Sequence, residues 1–240
     1  MAEVLALGLS HKTAPLELRE RLALTEGRAT SVMNELTAAP EIREATVVST
    51  CNRTELYVVA EDTVEAETTA LSVLSREAEI RPTELTSHLY SLRASDAARH
   101  LFQVTAGLDS MIIGEAEIQG QVKRAYELSL VEGATGPILN RLFRGAISAG
   151  GRARNETGIS EKGVSVPSVA VELARRTLGD LSTSHALVIG AGETADLVAR
   201  ALVARGSQTV FVANRHYDRA IGLAQRFGGA AVRIDDLPNQ

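Results

Sequence analysis

The chain has a single cysteine among its 240 residues. One thiol excludes an internal disulfide framework and a multi-cysteine zinc site, and it implies a reducing, cytoplasmic setting. No apolar stretch is long enough to span a bilayer. The N-terminus, Met1-Ala-Glu-Val-Leu-Ala6, lacks the basic start and long apolar middle of a signal peptide. Positive charge is not in excess: 25 Lys and Arg against 30 Asp and Glu give a net charge of −5. That balance argues against bulk binding of nucleic acid but leaves room for a local basic face. Residues 141–154 offer one, with Arg141, Arg144, Arg152 and Arg154 and no acid. Phosphate contact and an ordinary solvated helix face are both open readings of that cluster. No internal repeat, low-complexity tract or metal-ligand spacing is present. What remains, 45% apolar and 23% charged residues, is an ordinary globular composition, with length for one large domain or two modest ones.

Three zones follow one another along the chain. Val4–Leu9 reads as a strand, and Pro15–Leu24 and Arg28–Leu36 as short helices, the first opened by Pro15. Ala45–Ser49 and Glu55–Ala60 read as paired strands joined by Cys51-Asn-Arg-Thr54, and Glu65–Glu79 as a helix. Residues 1–92 thus form a small α/β unit. Residues 93–157 read as helical: Ala97–Ala106 with Ser95 as N-cap, Glu115–Val131, and Pro137–Ala149. Residues 158–182 read as a connecting helix, with Val166–Leu178 opened by Ser165 and Pro167. Residues 183–240 then alternate strand and helix as βαβαβ, one half of a doubly wound dinucleotide fold. The expected class is α/β: an N-terminal catalytic unit with a helical subdomain over 1–157, followed by a partial Rossmann-type domain. Three parallel strands without a second half leave apolar surface uncovered, so the chain is expected to be part of something longer.

Two motifs carry chemistry. Cys51 lies in Ser49-Thr-Cys-Asn-Arg-Thr-Glu55, a polar turn between apolar runs. A packing cysteine is usually buried among hydrophobes; this one has the setting of a reactive thiol. Arg53 is expected either to lower the thiol pKa or to grip a carboxylate with its two-pronged guanidinium. Thr50 and Asn52 are expected to hydrogen-bond an acyl group. The second motif, Gly190-Ala191-Gly192-Glu193-Thr194-Ala195, joins a strand to a helix and matches the dinucleotide fingerprint with Ala at its third position. At the end of the next strand Asn214-Arg215 replaces the acid that favours NAD, and Arg219 follows, so NADP(H) is the expected cofactor. A thiol and a nicotinamide site in one chain suggest reduction of an activated acyl group through a thioester. His100 stands early in a helix, where a structural and a catalytic role are both open. Asp109, Ser110, Glu115, Glu117 and Gln121 form a polar stretch able to read an amino-acid headgroup or simply to be wet.

These residues resemble the glutamyl-tRNA reductase family of tetrapyrrole (porphyrin) biosynthesis. The matching strings are Gly8-Leu-Ser-His-Lys-Thr-Ala-Pro15 with Leu18-Arg-Glu-Arg-Leu22, Ser49 to Tyr57, His100-Leu-Phe102, Ala106-Gly-Leu-Asp-Ser-Met111 through Gly114-Glu115, and Val188-Ile-Gly-Ala-Gly-Glu193. The resemblance implies an NADPH-dependent oxidoreductase that converts glutamyl-tRNA(Glu) to glutamate-1-semialdehyde. In it Cys51 would be the nucleophile and His100 a catalytic residue. Thr50, Asn52, Arg53, Ser110, Glu115, Ala116, Glu117 and Gln121 would bind substrate. Gly190 to Ala195, with Asn214 and Arg215, would hold NADPH. It further implies a homodimer through a C-terminal helical domain, product transfer to glutamate-1-semialdehyde aminomutase, and no membrane contact. Where many members carry Pro-Gln, this chain has Ala116-Glu117, which lacks the amide donors of glutamine. Because the NADPH domain looks cut short, reduction is expected to be weaker than ester cleavage. Two other readings stand beside this one: another thioester-forming aldehyde dehydrogenase, and a non-catalytic tRNA-binding protein.

Overall fold

The computed structural model describes every residue except Met1, Ala116, 161–165, Gln208 and Gln240. It divides into two units, Met1–Gly163 and Val164–Gln240. Ala116 and Ser165, both given roles by the sequence, lie outside the described residues.

The first unit is built on an antiparallel sheet. Its elements are β1 (Glu3–Ser10), α1 (Leu16–Arg21), α2 (Glu26–Ala38), β2 (Ile42–Ser49), β3 (Arg53–Ala60), α3 (Thr63–Ala78), α4 (Pro82–Leu85), β4 (Tyr90–Arg93), α5 (Ala94–Ala106), α6 (Glu117–Val131) and α7 (Pro137–Glu156). The sheet order is β2-β3-β1-β4. Side chains alternate across a strand, and here both faces are covered. Leu5, Leu7 and Leu9 of β1 and Leu56, Val58 and Ala60 of β3 join α1, α2 and α3 in one core. Ala6, Tyr57 and Val59 meet α5, α6 and α7 in the other. The helices of 93–157 are therefore the second layer of the same unit. All eight residues of β3 are buried in consequence.

Three elements differ instructively from expectation. Helix α7 was expected to stop before Gly150-Gly151, yet it runs on to Glu156. A Cβ on Gly150 would lie 2.8 Å from the Thr105 carbonyl oxygen of α5, so that glycine permits a close helix crossing at some loss of helix propensity. Strand β4 was not foreseen; it has four residues at the sheet edge, alternately half-buried and exposed. Ser95 lies inside α5 rather than capping it, and Arg93 takes the N-cap position without a side-chain bond.

Helix α7 is capped from afar. Glu44 of β2 is buried and accepts the backbone N–H groups of Ile138 (3.1 Å) and Leu139 (2.7 Å). A carboxylate there satisfies N–H groups that have no partner in the helix and meets the positive end of its dipole.

The second unit holds α8 (Val166–Leu178), β5 (His185–Ile189), α9 (Glu193–Ala204), β6 (Thr209–Asn214), α10 (Tyr217–Arg226) and β7 (Ala230–Arg233). Its three strands are parallel in the order β5-β6-β7. Helix α8, expected as a connector, places Val171 in this unit's core with Val188, Ala199, Val210 and Val212. Among the described residues no helix is long and apolar enough to cross a membrane.

Glu44→Ala is expected to lower the unfolding free energy by about 2 kcal/mol, the upper range for loss of a helix cap. Urea unfolding of the two proteins, followed by circular dichroism, measures it; an unchanged midpoint would show that water replaces the cap.

Candidate active site

The β2–β3 hairpin presents Cys51, which is exposed at its tip. The Thr50 side-chain oxygen accepts the N–H groups of Asn52 (3.1 Å) and Arg53 (3.2 Å), and the Thr50 N–H donates to the Arg53 carbonyl at 2.8 Å. Thr50 therefore shapes the turn and keeps its own O–H proton for another partner. From α1, the Arg19 guanidinium donates to the Cys51 carbonyl (2.9 Å) and to Asn52 Oδ1 (3.1 Å). That fixes the Asn52 amide so that its NH₂ is the end left over, since the two ends of the amide are distinct.

Arg53 does not activate the thiol. It is 1% exposed, and its Nη1 donates to Glu55 Oε1 at 2.6 Å. Its Nη2 donates to the Asp109 carbonyl (2.6 Å) and Oδ2 (3.1 Å). It does grip carboxylates, but they are the protein's own. The Cys51 thiol is instead pushed up: partial burial raises its pKa, and Glu115 and then Glu117 add to the effect against a backbone hydrogen bond and a smaller pull from Arg19. A thiol of this kind is mainly protonated near neutrality and needs a base to become the nucleophile.

Glu55 lies two residues along β3 from Arg53, on the same face. It accepts four donors: Arg53, Tyr57 OH (2.6 Å), Tyr90 OH (2.5 Å) and His100 Nε2 (2.9 Å). Burial alone would raise its pKa, but the Arg53 guanidinium and the hydrogen bond from His100 hold it down to about 2. The network extends outward through Asp109, which also pairs with Lys12. Next to Asp109, the Ser110 hydroxyl is buried and has no hydrogen-bond partner among the described residues. A buried hydroxyl without a partner costs about 1–3 kcal/mol, which fits a group kept for a ligand.

The structure thus joins Arg53 and His100 through Glu55, and puts Glu115 and Glu117 within electrostatic reach of Cys51. Gln121 is less directly connected: it lines a groove of about 220 Å³ with Ser49, Glu26 and Arg124. Of the arginine cluster, Arg152 is paired with Glu156. Arg154 donates to the carbonyls of Thr105, Gly150 and Glu115, where it pins the 107–115 loop to α5 and α7. Arg144 bonds Tyr126 OH, and Arg141 is exposed with no side-chain hydrogen bond among the described residues. Sequence reasoning gave no role to Glu55, Tyr57, Tyr90 or Arg19, and placed Asp109 in a polar stretch without its tie to Arg53. The signal available was Arg53-x-Glu55-x-Tyr57, three polar groups on one face of an otherwise apolar strand.

In the second unit, Gly190 has φ +117°, a backbone region that favours glycine. A Cβ at Gly190 or Gly192 would meet no atom within 4 Å. Gly192 is the N-cap of α9, so no side chain caps the first N–H groups of that helix. These features fit a pyrophosphate, a common occupant of such a turn. Asn214 Oδ1 accepts the His216 N–H at 3.0 Å, which turns that side chain into its own loop. Arg215 is exposed and makes no hydrogen bond among the described residues.

Comparison with known proteins agrees with this layout. Residues 7–157 match the model of the glutamyl-tRNAGlu reductase N-terminal domain. The chain belongs to the glutamyl-tRNA reductase family. Residues 172–240 match the shikimate/quinate 5-dehydrogenase model. The chain is 43% identical over 235 residues to the glutamyl-tRNA reductase of Magnetococcus marinus, covering 98% of this chain and 56% of that protein. It is 45% identical over 233 residues to that of Rubrobacter xylanophilus, covering 97% and 54%. Among solved structures, glutamyl-tRNA reductase from Methanopyrus kandleri superimposes with a TM-score of 0.62 at 38% identity, over 98% of this chain and 55% of that one. The chain spans about half the length of these relatives.

The raised thiol makes a prediction for this family member. Alkylation of Cys51 by iodoacetamide should have its pH midpoint above about 8.5, the ordinary cysteine value. Glu115→Gln should move the midpoint down. A midpoint below 8 in the unaltered chain would contradict the assignment.

Proposed function

We propose that the chain acts on glutamyl-tRNA, forming a thioester on Cys51 that is reduced with NADPH to glutamate-1-semialdehyde. The observation that carries this reading is an exposed thiol at the tip of a hairpin braced by Arg19 and Thr50. An unpartnered buried hydroxyl at Ser110 and the family membership support it.

The residues divide the work as follows. Cys51 gives up its proton, and the sulfur attacks the carbonyl carbon of the aminoacyl ester. A C–S bond forms, the C–O bond to the ribose breaks, and the ribose oxygen leaves with a proton. His100 is the proton carrier in this exchange. The Thr50 hydroxyl and the Asn52 amide donate to the acyl oxygen. Ser110, Glu115, Glu117 and Gln121 read the glutamyl group, with the carboxylates of Glu115 and Glu117 suited to its ammonium. Arg53, buried on Glu55 and Asp109, braces this surface from behind rather than meeting substrate. Arg19 is a cation hydrogen-bonded to the thiol turn. Gly190, Ala191, Gly192, Glu193, Thr194 and Ala195 would hold the dinucleotide pyrophosphate by backbone N–H groups, and Arg215 the 2′-phosphate. NADPH, when bound, supplies the hydride that takes the thioester to an aldehyde and frees the thiolate.

Glutamyl-tRNA carrying radiolabelled glutamate, given to the chain without NADPH, should leave acid-stable label on the parent and none on Cys51→Ser. Equal labelling of both would end the proposal. Uncharged tRNA should compete and coenzyme A should not, which separates this reading from an acyl-CoA-type dehydrogenase.

Arg215→Ala should weaken NADPH binding about tenfold, or 1.4 kcal/mol, while leaving NADH binding unchanged. Nicotinamide fluorescence titration reads both; parallel losses would remove Arg215 from the 2′-phosphate site.

A further inference from the structure

The His100 ring has a definite proton arrangement. Its Nε2 lies 2.9 Å from Glu55 Oε1, and an ionised carboxylate can only accept. Glu55 is wholly buried, and its other donors are the Arg53 guanidinium and the Tyr57 and Tyr90 hydroxyls. The proton between the two groups therefore belongs to Nε2. In a neutral imidazole this leaves Nδ1 as the acceptor. Nδ1 makes no hydrogen bond among the described residues. The Tyr90 ring holds the imidazole edge-on, with centroids 5.1 Å apart and planes at 63°. Space for the carboxylate is set by Gly8, which pairs with both Glu55 and Tyr90 in the sheet. A Cβ there would lie 2.8 Å from Glu55 Cγ.

We propose that Glu55 is the positioning residue of His100: it holds the ring as the Nε2–H tautomer, and Nδ1 is the nitrogen that exchanges a proton during acyl transfer at Cys51. The second clause rests on the function proposed above. Nδ1 takes the thiol proton as sulfur attacks, the ring becomes imidazolium while Nε2–H stays on Glu55, and Nδ1 returns the proton to the departing ribose oxygen. No oxidant or further reactant is needed. Tyr57 and Tyr90, by donating to the same carboxylate, keep its direction fixed through the cycle.

Two measurements test this separately. In the chain labelled with ¹⁵N-histidine, two-bond ¹⁵N–¹H correlation spectra at pH 8 should show the Nε2–H pattern for His100, assigned by its loss in His100→Asn. An Nδ1–H pattern overturns the proposal whatever the chain does with substrate. With glutamyl-tRNA, Glu55→Gln should lower the saturated rate of ester cleavage by about a hundredfold or more and leave the half-saturating concentration unchanged. Glu55→Asp should recover part of the rate. A Glu55→Gln chain that folds, by circular dichroism, and cleaves at the parent rate also overturns it. If Glu55→Gln does not fold, the tautomer of the unaltered chain decides. A parent that leaves glutamyl-tRNA intact defeats the functional reading, and the tautomer still decides the role of Glu55.

Discussion

A carboxylate with no exposed surface must either be neutral or have its charge fully answered. Glu55 takes the second course, with one guanidinium, two phenols and an imidazole on its two oxygens. Those four donors come from β3, β4 and α5, so the bond set ties the sheet edge to the second helical layer. Removing one side of a buried ion pair typically costs about 3–5 kcal/mol, because the remaining charge stays buried. The arrangement thus demands that Arg53, Tyr57, Tyr90 and His100 arrive together, and it makes the site and the fold one problem.

The rest of the first unit makes room for this polar insert inside an apolar frame. The β3 face bearing Glu55 continues through Tyr57 into an aromatic cluster, where Phe143 meets Tyr57 edge-on at 5.4 Å and stacks on Tyr126 at 5.6 Å. Phe143 is wholly buried. Glycine supplies space where side chains would not fit: Gly8 opposite Glu55, and Gly150 against α5. A second buried carboxylate, Glu44, repeats the principle at the N-terminus of α7. In both cases a charged group is tolerated in the core because its acceptor capacity meets donors fixed by the backbone or by rigid rings.

This explains which parts were legible in the sequence. Cys51 and the Gly190–Ala195 turn are local signals, since the residues that define each are contiguous and the backbone geometry they need is short-range. The hairpin, the long helices and the parallel strands follow from periodicity, which is local too. Glu55 is different. Its partners stand 2, 2, 35 and 45 residues away, and Tyr90 sits on a strand too short to announce itself. Gly150-Gly151 reads as a helix stop by propensity, and only the crossing with α5 reverses that preference. Arg53 is ambiguous in the sequence. A guanidinium beside a thiol suggests activation, but its direction depends on carboxylates supplied from β3 and from the loop after α5.

The raised thiol and the buried carboxylate belong to one electrostatic design. A cation close enough to Cys51 to lower its pKa would stabilise the thiolate at rest, but a thiolate of lower pKa is a weaker nucleophile and a better leaving group. Here Arg53 is neutralised by Glu55 and Asp109, while burial, with Glu115 and Glu117, disfavours the thiolate more than Arg19 favours it. On the proposed function, the sulfur would keep its proton until an acyl group and a base are both present. A thiol that ionises only with substrate resists adventitious alkylation and oxidation, which follow thiolate character. The same acids that hold the proton on sulfur are those suited to the ammonium of a glutamyl group. On the function proposed above, arrival of that ammonium would offset their charge and make ionisation of the thiol easier.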